Sequence, residues 1–80
     1  MNKSLLRILK TEGDILNDIA CCEDRIAMYA ELLRECEDSE YFRNRVAIKK
    51  AELAELQGKL ESTRSEMRDY FAMLFGKANV

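Results

Sequence analysis

Apolar residues recur along this chain at alternating spacings of three and four, and the alternation is interrupted once, near the middle of the sequence. This heptad pattern is typical of helices that pack side by side. The sequence contains no proline and many strong helix formers, which favours long helices. The apolar row of the first half is here called seam 1. It comprises Leu5, Ile8, Ile15, Ile19, Cys22, Ile26, Tyr29, Leu33 and Cys36, and the charged Glu12 occupies the position between Ile8 and Ile15. The row of the second half, seam 2, comprises Phe42, Val46, Lys49, Leu53, Leu56, Leu60, Thr63, Met67, Tyr70 and Leu74.

The interruption lies in the segment 36–40, where the phase of the alternation changes. Asp38 or Ser39 can cap a following helix, and Glu40 suits the positive first turn of that helix. A short connection makes neighbouring helices antiparallel. The sequence therefore predicts an all-α fold, an antiparallel two-helix hairpin with long helices at about 2–37 and 39–75. We expect a single domain spanning residues 1–80.

The two seams also predict a register. Folding the chain about Asp38 brings large apolar residues together along both helices, and it places Glu12 beside Thr63. Two acidic residues of the first helix are expected to form ion pairs with basic residues of the second. The acidic residues are Glu31 and Glu35, and the basic ones are Arg43, Arg45 and Lys49. Independent features that agree on one register are expected of a chain that specifies one structure.

Gly13 is the weak point of the first helix. Glycine costs about 1 kcal/mol relative to alanine inside a helix. The sequence leaves two outcomes open: the helix kinks or breaks at Gly13, so that Asp14 caps a new helix, or it continues. A break would make residues 2–10 a short separate helix.

The back of the second helix, away from seam 2, carries a row of small residues at helical spacing. This small-residue stripe comprises Ala47, Ala51, Ala54, Gly58, Ser62 and Ser65. Small residues let another helix approach closely, and Gly58 in mid-helix costs stability unless it serves such a contact. We therefore predict a second helix–helix interface here, with a second copy or with another protein. The alternative is an ordinary solvated helix surface.

The C-terminal end of the second helix forms an apolar cluster that one hairpin cannot cover completely. Phe71, Met73 and Phe75 point around the helix, away from seam 2, and such residues are common anchors at interfaces. Covering of the cluster by the start of the first helix is the alternative. The residues available for this are Leu5, Leu6 and Leu9.

The first helix is apolar beyond seam 1. Leu9, Leu16, Ala20 and Ala27 broaden the apolar stripe on one flank, so this helix can touch more than one neighbour. A chain of 80 residues is also near the lower limit for burying a self-sufficient core. Because the second interface predicted on the small-residue stripe also suits a second copy, we expect a homodimer in which two hairpins form a four-helix bundle.

The sequence lacks the residue patterns of a catalytic site. Histidine is absent, which removes the usual general base and the commonest metal ligand. The adjacent Cys21 and Cys22 lack the two-residue spacing of zinc and redox motifs. We expect Cys22 and Cys36 to be small buried hydrophobes and Cys21 to be exposed. The prediction is a protein that is not an enzyme and that has neither a cofactor nor a metal site.

The predicted location is the cytoplasm. The sequence has an odd number of cysteines, and a reducing compartment suits unpaired thiols. Arg7 and Lys10 interrupt the apolar N-terminal run, so it does not read as a signal peptide. No stretch is long enough to cross a membrane.

Two function classes remain. The first is a protein–protein interaction module that acts sterically on a larger partner of unknown identity, as a small inhibitor or adaptor. The second is a nucleic-acid-associated regulator that uses the basic segment Arg43–Lys50. Phosphate binding needs basic charge in excess of nearby acids, and the acidic first helix is expected to neutralise this segment. We therefore expect no nucleic-acid partner.

The hairpin size and the turn Asp38-Ser39-Glu40-Tyr41, which leads into an alanine- and leucine-rich helix, resemble small co-chaperones of type III secretion needles. The compact acidic chain also resembles phage-encoded inhibitors of bacterial machinery, anti-CRISPR proteins among them. Both resemblances imply a helical protein that works by binding another protein.

Overall fold

The computed structural model describes residues 3–76, which form two α-helices joined by a short connection. Helix α1 spans Lys3–Glu35 and helix α2 spans Glu40–Phe75. The predicted all-α hairpin is confirmed. The first helix ends at residue 35 rather than 37, and the second begins at residue 40 rather than 39. The predicted start at residue 2 lies outside the described residues.

The connection of residues 36–39 is held by local hydrogen bonds. The Ser39 amide donates to the Cys36 carbonyl at 2.9 Å, and Ser39 Oγ accepts from the Phe42 amide at 3.2 Å. Ser39 has an extended backbone and is the N-cap of α2, with Glu40 in the first turn. The negative charge of Glu40 there complements the helix dipole. Of the two predicted caps, Ser39 is therefore the one that the chain uses.

The helices run in opposite directions, as contacts at both ends of the hairpin show. Near the turn, the rings of Tyr29 and Phe42 lie with their centroids 6.3 Å apart. Near the open end, Arg64 Nε donates to Glu12 Oε2 at 3.1 Å. Glu12 was predicted beside Thr63, which precedes Arg64 and is buried. The predicted register is therefore confirmed here to within one residue.

The core between the helices is a single line of side chains. Among the described residues, the buried apolar side chains are Ile8, Ile15 and Cys22, at 5%, 8% and 6% exposure. Thr63 is the buried polar residue, at 8%. All of them belong to the two seams. Most other seam residues are half-buried, because each helix has one neighbour and its remaining faces meet solvent.

Of the two outcomes that the sequence left open at Gly13, the structure shows a helix that continues, since α1 runs through this residue. Two sequence-based expectations about other single residues are wrong. Cys36 is exposed rather than buried, because it lies in the connection beyond the end of α1. Leu74 of seam 2 is 49% exposed. Leu74 lies in the last turn of α2, at the open end of the hairpin.

The predicted ion pairs between the helices near the turn are also wrong within the described part of the chain. Glu31 pairs with Arg34 of its own helix at 2.8 Å, and Lys49 pairs with Glu52 at 3.1 Å. Arg43 donates to the Glu37 carbonyl at 2.8 Å. Residues three positions apart on a helix are close neighbours, so these local pairs form more readily than pairs across the hairpin.

Candidate interaction surfaces

The small-residue stripe of α2 lies on the solvent side of the hairpin, as predicted. Its predicted interface members Ala47, Ala51, Ala54 and Gly58 are all exposed. A Cβ atom added at Gly58 would meet no atom within 4 Å outside its own helix backbone. The hairpin itself therefore does not require glycine at this position. The surface beside Gly58 is open to a neighbouring helix, although its role as an interface stays a prediction.

The cluster at the open end is only partly covered. Phe71, Met73 and Phe75 are 38%, 58% and 62% exposed, and the rings of Phe71 and Phe75 stack with centroids 6.0 Å apart. Of the three residues considered for covering the cluster, Leu6 and Leu9 are themselves 50% and 39% exposed, and Leu5 is half-buried. Both helices therefore present apolar side chains to solvent at this end. The alternative of full coverage within the hairpin does not hold.

A third apolar surface follows α1, and it is longer than the sequence analysis recognised. It occupies the positions that follow the seam 1 positions 5 to 29 by one, and we call it the α1 flank. Its members are Leu6, Leu9, Gly13, Leu16, Ala20, Glu23, Ala27 and Ala30. Leu16 is 42% exposed, and all other members except Ala30 are exposed too. The flank predicted from the sequence lacks Leu6, Gly13, Glu23 and Ala30, although the same spacing of three and four includes them.

A groove of mixed charge runs between the helices on the opposite side of seam 1. It measures about 560 Å³ and is lined by Asp18, Cys21, Cys22, Arg25, Tyr29, Arg45, Lys49, Glu52, Glu55, Leu56 and Lys59. The Cys22 thiol donates to the Lys49 carbonyl at 3.1 Å. The Arg45 guanidinium lies 5.5 Å from the centre of the Tyr29 ring. The interaction with Tyr29 is the main cause that raises the pKa of Arg45.

The basic segment Arg43–Lys50 is largely engaged within the hairpin. Arg43 contacts the Glu37 carbonyl, Arg45 lies over Tyr29, and Lys49 pairs with Glu52. Cations held in this way are less free to contact phosphate groups. The nucleic-acid alternative stays a prediction without support from these contacts.

Within residues 3–76, no three cysteine, aspartate, glutamate or histidine side chains are grouped so that they could hold a metal ion. Neither α1 nor α2 contains an apolar stretch of the length needed to span a bilayer. No protein-family model, curated protein or solved structure matches this chain.

Proposed function

We propose that this chain is a non-enzymatic protein–protein interaction module. Two hairpins associate as a four-helix bundle, and the dimer acts sterically on a larger protein, as a small inhibitor or adaptor. The small-residue stripe and the cluster of Phe71, Met73 and Phe75 are the surfaces that contact the larger protein.

The observation that carries this proposal is the amount of surface that one hairpin leaves exposed. The chain of 9.3 kDa exposes 6137 Å². A folded monomer of this mass is expected to expose about 5,000 Å², so the excess is about 1,200 Å². A stable protein–protein interface removes about 800 Å² from each partner. The excess is therefore large enough for one such interface and part of another.

The chemistry of the exposed surface supports the same function. The exposed large hydrophobic residues outnumber the three buried apolar residues, and they are Leu6, Leu9, Leu16, Met28, Tyr41, Ile48, Phe71, Met73, Leu74 and Phe75. Soluble monomers rarely expose apolar residues in contiguous patches, and such patches mark interaction sites. The grooves of the hairpin are open along their length, and the sequence has no histidine. These features favour binding over catalysis.

We further propose a cytoplasmic location, because the described cysteines are free thiols and two of them are exposed. The inhibitor role and a phage origin rest on the resemblances given above and stay predictions.

Affinity capture from the source cell tests the proposed action on a larger protein. Gly58→Leu fills the centre of the small-residue stripe, and Gln57→Leu adds the same side chain at the neighbouring exposed position. We expect a captured protein that binds the wild type and Gln57→Leu but is lost with Gly58→Leu, with helicity unchanged in both. Equal capture by all three proteins would remove the stripe from the proposal. Light scattering on a sizing column tests dimerisation separately.

A further inference from the structure

The α1 flank has the spacing of a helix–helix seam and no partner within the hairpin. Each of its residues follows a seam 1 residue by one position, so the flank lies about 100° around the helix from seam 1. An angle near 90° is the one a helix needs at a corner of a four-helix bundle, where it touches two neighbours. Leu6, Leu9 and Leu16, its large members, are 50%, 39% and 42% exposed.

The order of large and small residues along the flank makes it complementary to itself. The N-terminal half carries the leucines, and the C-terminal half carries the alanines. In an antiparallel pair of α1 helices with a two-fold axis at Asp18, every leucine faces an alanine. The layers are Leu6 with Ala30, Leu9 with Ala27, and Leu16 with Ala20 of the second copy. Such alternation of large and small residues fills the space between helices without voids.

Gly13 and Glu23 are the flank residues that are neither leucine nor alanine, and they fall into one layer. The same axis places Gly13 opposite Glu23 of the second copy. A Cβ atom added at Gly13 would meet nothing within 4 Å in the hairpin, so the hairpin itself does not require glycine, whereas a position without a side chain suits the longer glutamate chain of a second copy. Glycine is also the poorest helix former after proline. A contact that needs space would account for a glycine inside an unbroken helix.

The charges beside the flank favour the antiparallel arrangement. On the side of the flank away from seam 1, the neighbouring row of α1 contains Lys10, Asn17 and Asp24. These residues follow flank members by one position and are exposed. In the register above, Lys10 lies within two residues of the position opposite Asp24 of the second copy, close enough for a long lysine side chain to reach the carboxylate, and the two Asn17 residues lie on either side of the axis. A parallel pair would instead place Glu23 against Glu23 in a central layer, which is unfavourable.

We propose that a second copy of this chain docks on the α1 flank, with the two α1 helices antiparallel about Asp18. This inference rests on the dimer proposed above and assigns its interface to α1. The corresponding row of α2 is a poorer interface because its middle is charged or polar, with Lys50, Gln57, Glu61, Arg64 and Arg68. Ala47 and Ala54 of the small-residue stripe belong to this same row, whereas Ala51, Gly58 and Ser62 lie beyond it and stay free for the larger protein.

Sedimentation equilibrium over a concentration series tests this interface with two pairs of variants. Leu16→Glu places a charge in the central layer and is expected to weaken dimerisation by about 100-fold or more. Met28→Glu is the matched control, since Met28 is on the same helix, is equally exposed at 42%, and lies off the flank. It should dimerise like the wild type. Far-UV circular dichroism verifies that both variants stay helical.

The second pair tests the register itself. Ala20→Leu places leucine against leucine in both central layers and should weaken the dimer. Adding Leu16→Ala exchanges the large and small residues, restores both layers and should recover dimerisation. A wild-type dimer that is unaffected by Leu16→Glu, or a double variant that does not recover, would overturn the proposed interface and leave the dimer in place. A wild type that stays monomeric would overturn the dimer as well.

Discussion

Replacing Ile15 by alanine tests whether the thin core holds the hairpin together. Ile15 is only 8% exposed. The substitution removes three carbon atoms, and at about 0.8 kcal/mol for each buried carbon the loss is about 2 kcal/mol. Ile15 borders an open groove together with Thr11 and Thr63, so water and neighbouring side chains can fill the space. Because of this, we expect little additional cost from a cavity.

Ile48→Ala is the matched control for this prediction. Ile48 lies on α2 and is 47% exposed. The same atoms are removed, and the change in intrinsic helix propensity is the same at both positions. We expect this control to lose less than about 1 kcal/mol of unfolding free energy. The difference between the two variants therefore isolates the contribution of burial between the helices.

The assay is urea unfolding followed by far-UV circular dichroism. All proteins are compared at one concentration, because the stability of a dimer depends on concentration. Domains of this size unfold with roughly 4–12 kcal/mol, so a loss of about 2 kcal/mol at Ile15 lowers the midpoint clearly. Equal midpoints for Ile15→Ala and Ile48→Ala would refute the assignment of Ile15 to the core.

Other predictions concern the turn, the thiols and the continuity of α1. Ser39→Ala removes the cap of α2 and should cost about 1 kcal/mol, whereas Ser62→Ala on an exposed helix face should cost less; equal melting temperatures would contradict the cap. A thiol reagent should modify the two exposed cysteines of the native protein quickly, while Cys22 reacts only on unfolding; three fast thiols would mean that Cys22 is not buried. Gly13→Ala, measured at a concentration too low for dimerisation, should raise the unfolding free energy by about 1 kcal/mol because α1 is unbroken, and a loss under this condition would indicate a backbone that needs glycine.

Much of the fold follows from the sequence because heptad spacing is a geometric constraint. Side chains that recur at three and four residues must share one face of a helix. Seam 1 and seam 2 therefore identified Ile8, Ile15, Cys22 and Thr63, which are the buried residues in the described range. The capping preference of serine likewise identified Ser39.

The sequence could not decide details that depend on small free energies or on the ends of the helices. Whether a glycine breaks a helix is decided by tertiary packing, and the packing of Ile8 and Ile15 on either side of Gly13 keeps α1 continuous. Exposed ion pairs contribute little, so their partners are not fixed by register, and Glu31 contacts Arg34 instead of α2. Cys36 followed the spacing of seam 1 but lies beyond the end of the helix.

The sequence predicts which types of exposed surface the hairpin has, but not how far the apolar surface of α1 extends. The small-residue stripe and Phe71, Met73 and Phe75 are exposed as expected. The sequence pattern predicts only part of the α1 flank, because its leucines also fit a broader version of seam 1. The exposure of Leu6, Leu9 and Leu16 in the folded hairpin separates the two faces.

Small-angle X-ray scattering over a concentration series tests the central claim most directly, since it reports mass and length together. The account predicts a particle of twice 9.3 kDa. Its maximum dimension should stay close to the 62 Å of one hairpin, because an axis at Asp18 lies near the middle of α1 and makes the two hairpins overlap along their length. A mass of 9.3 kDa at every concentration, or a dimer about twice as long as one hairpin, would contradict it.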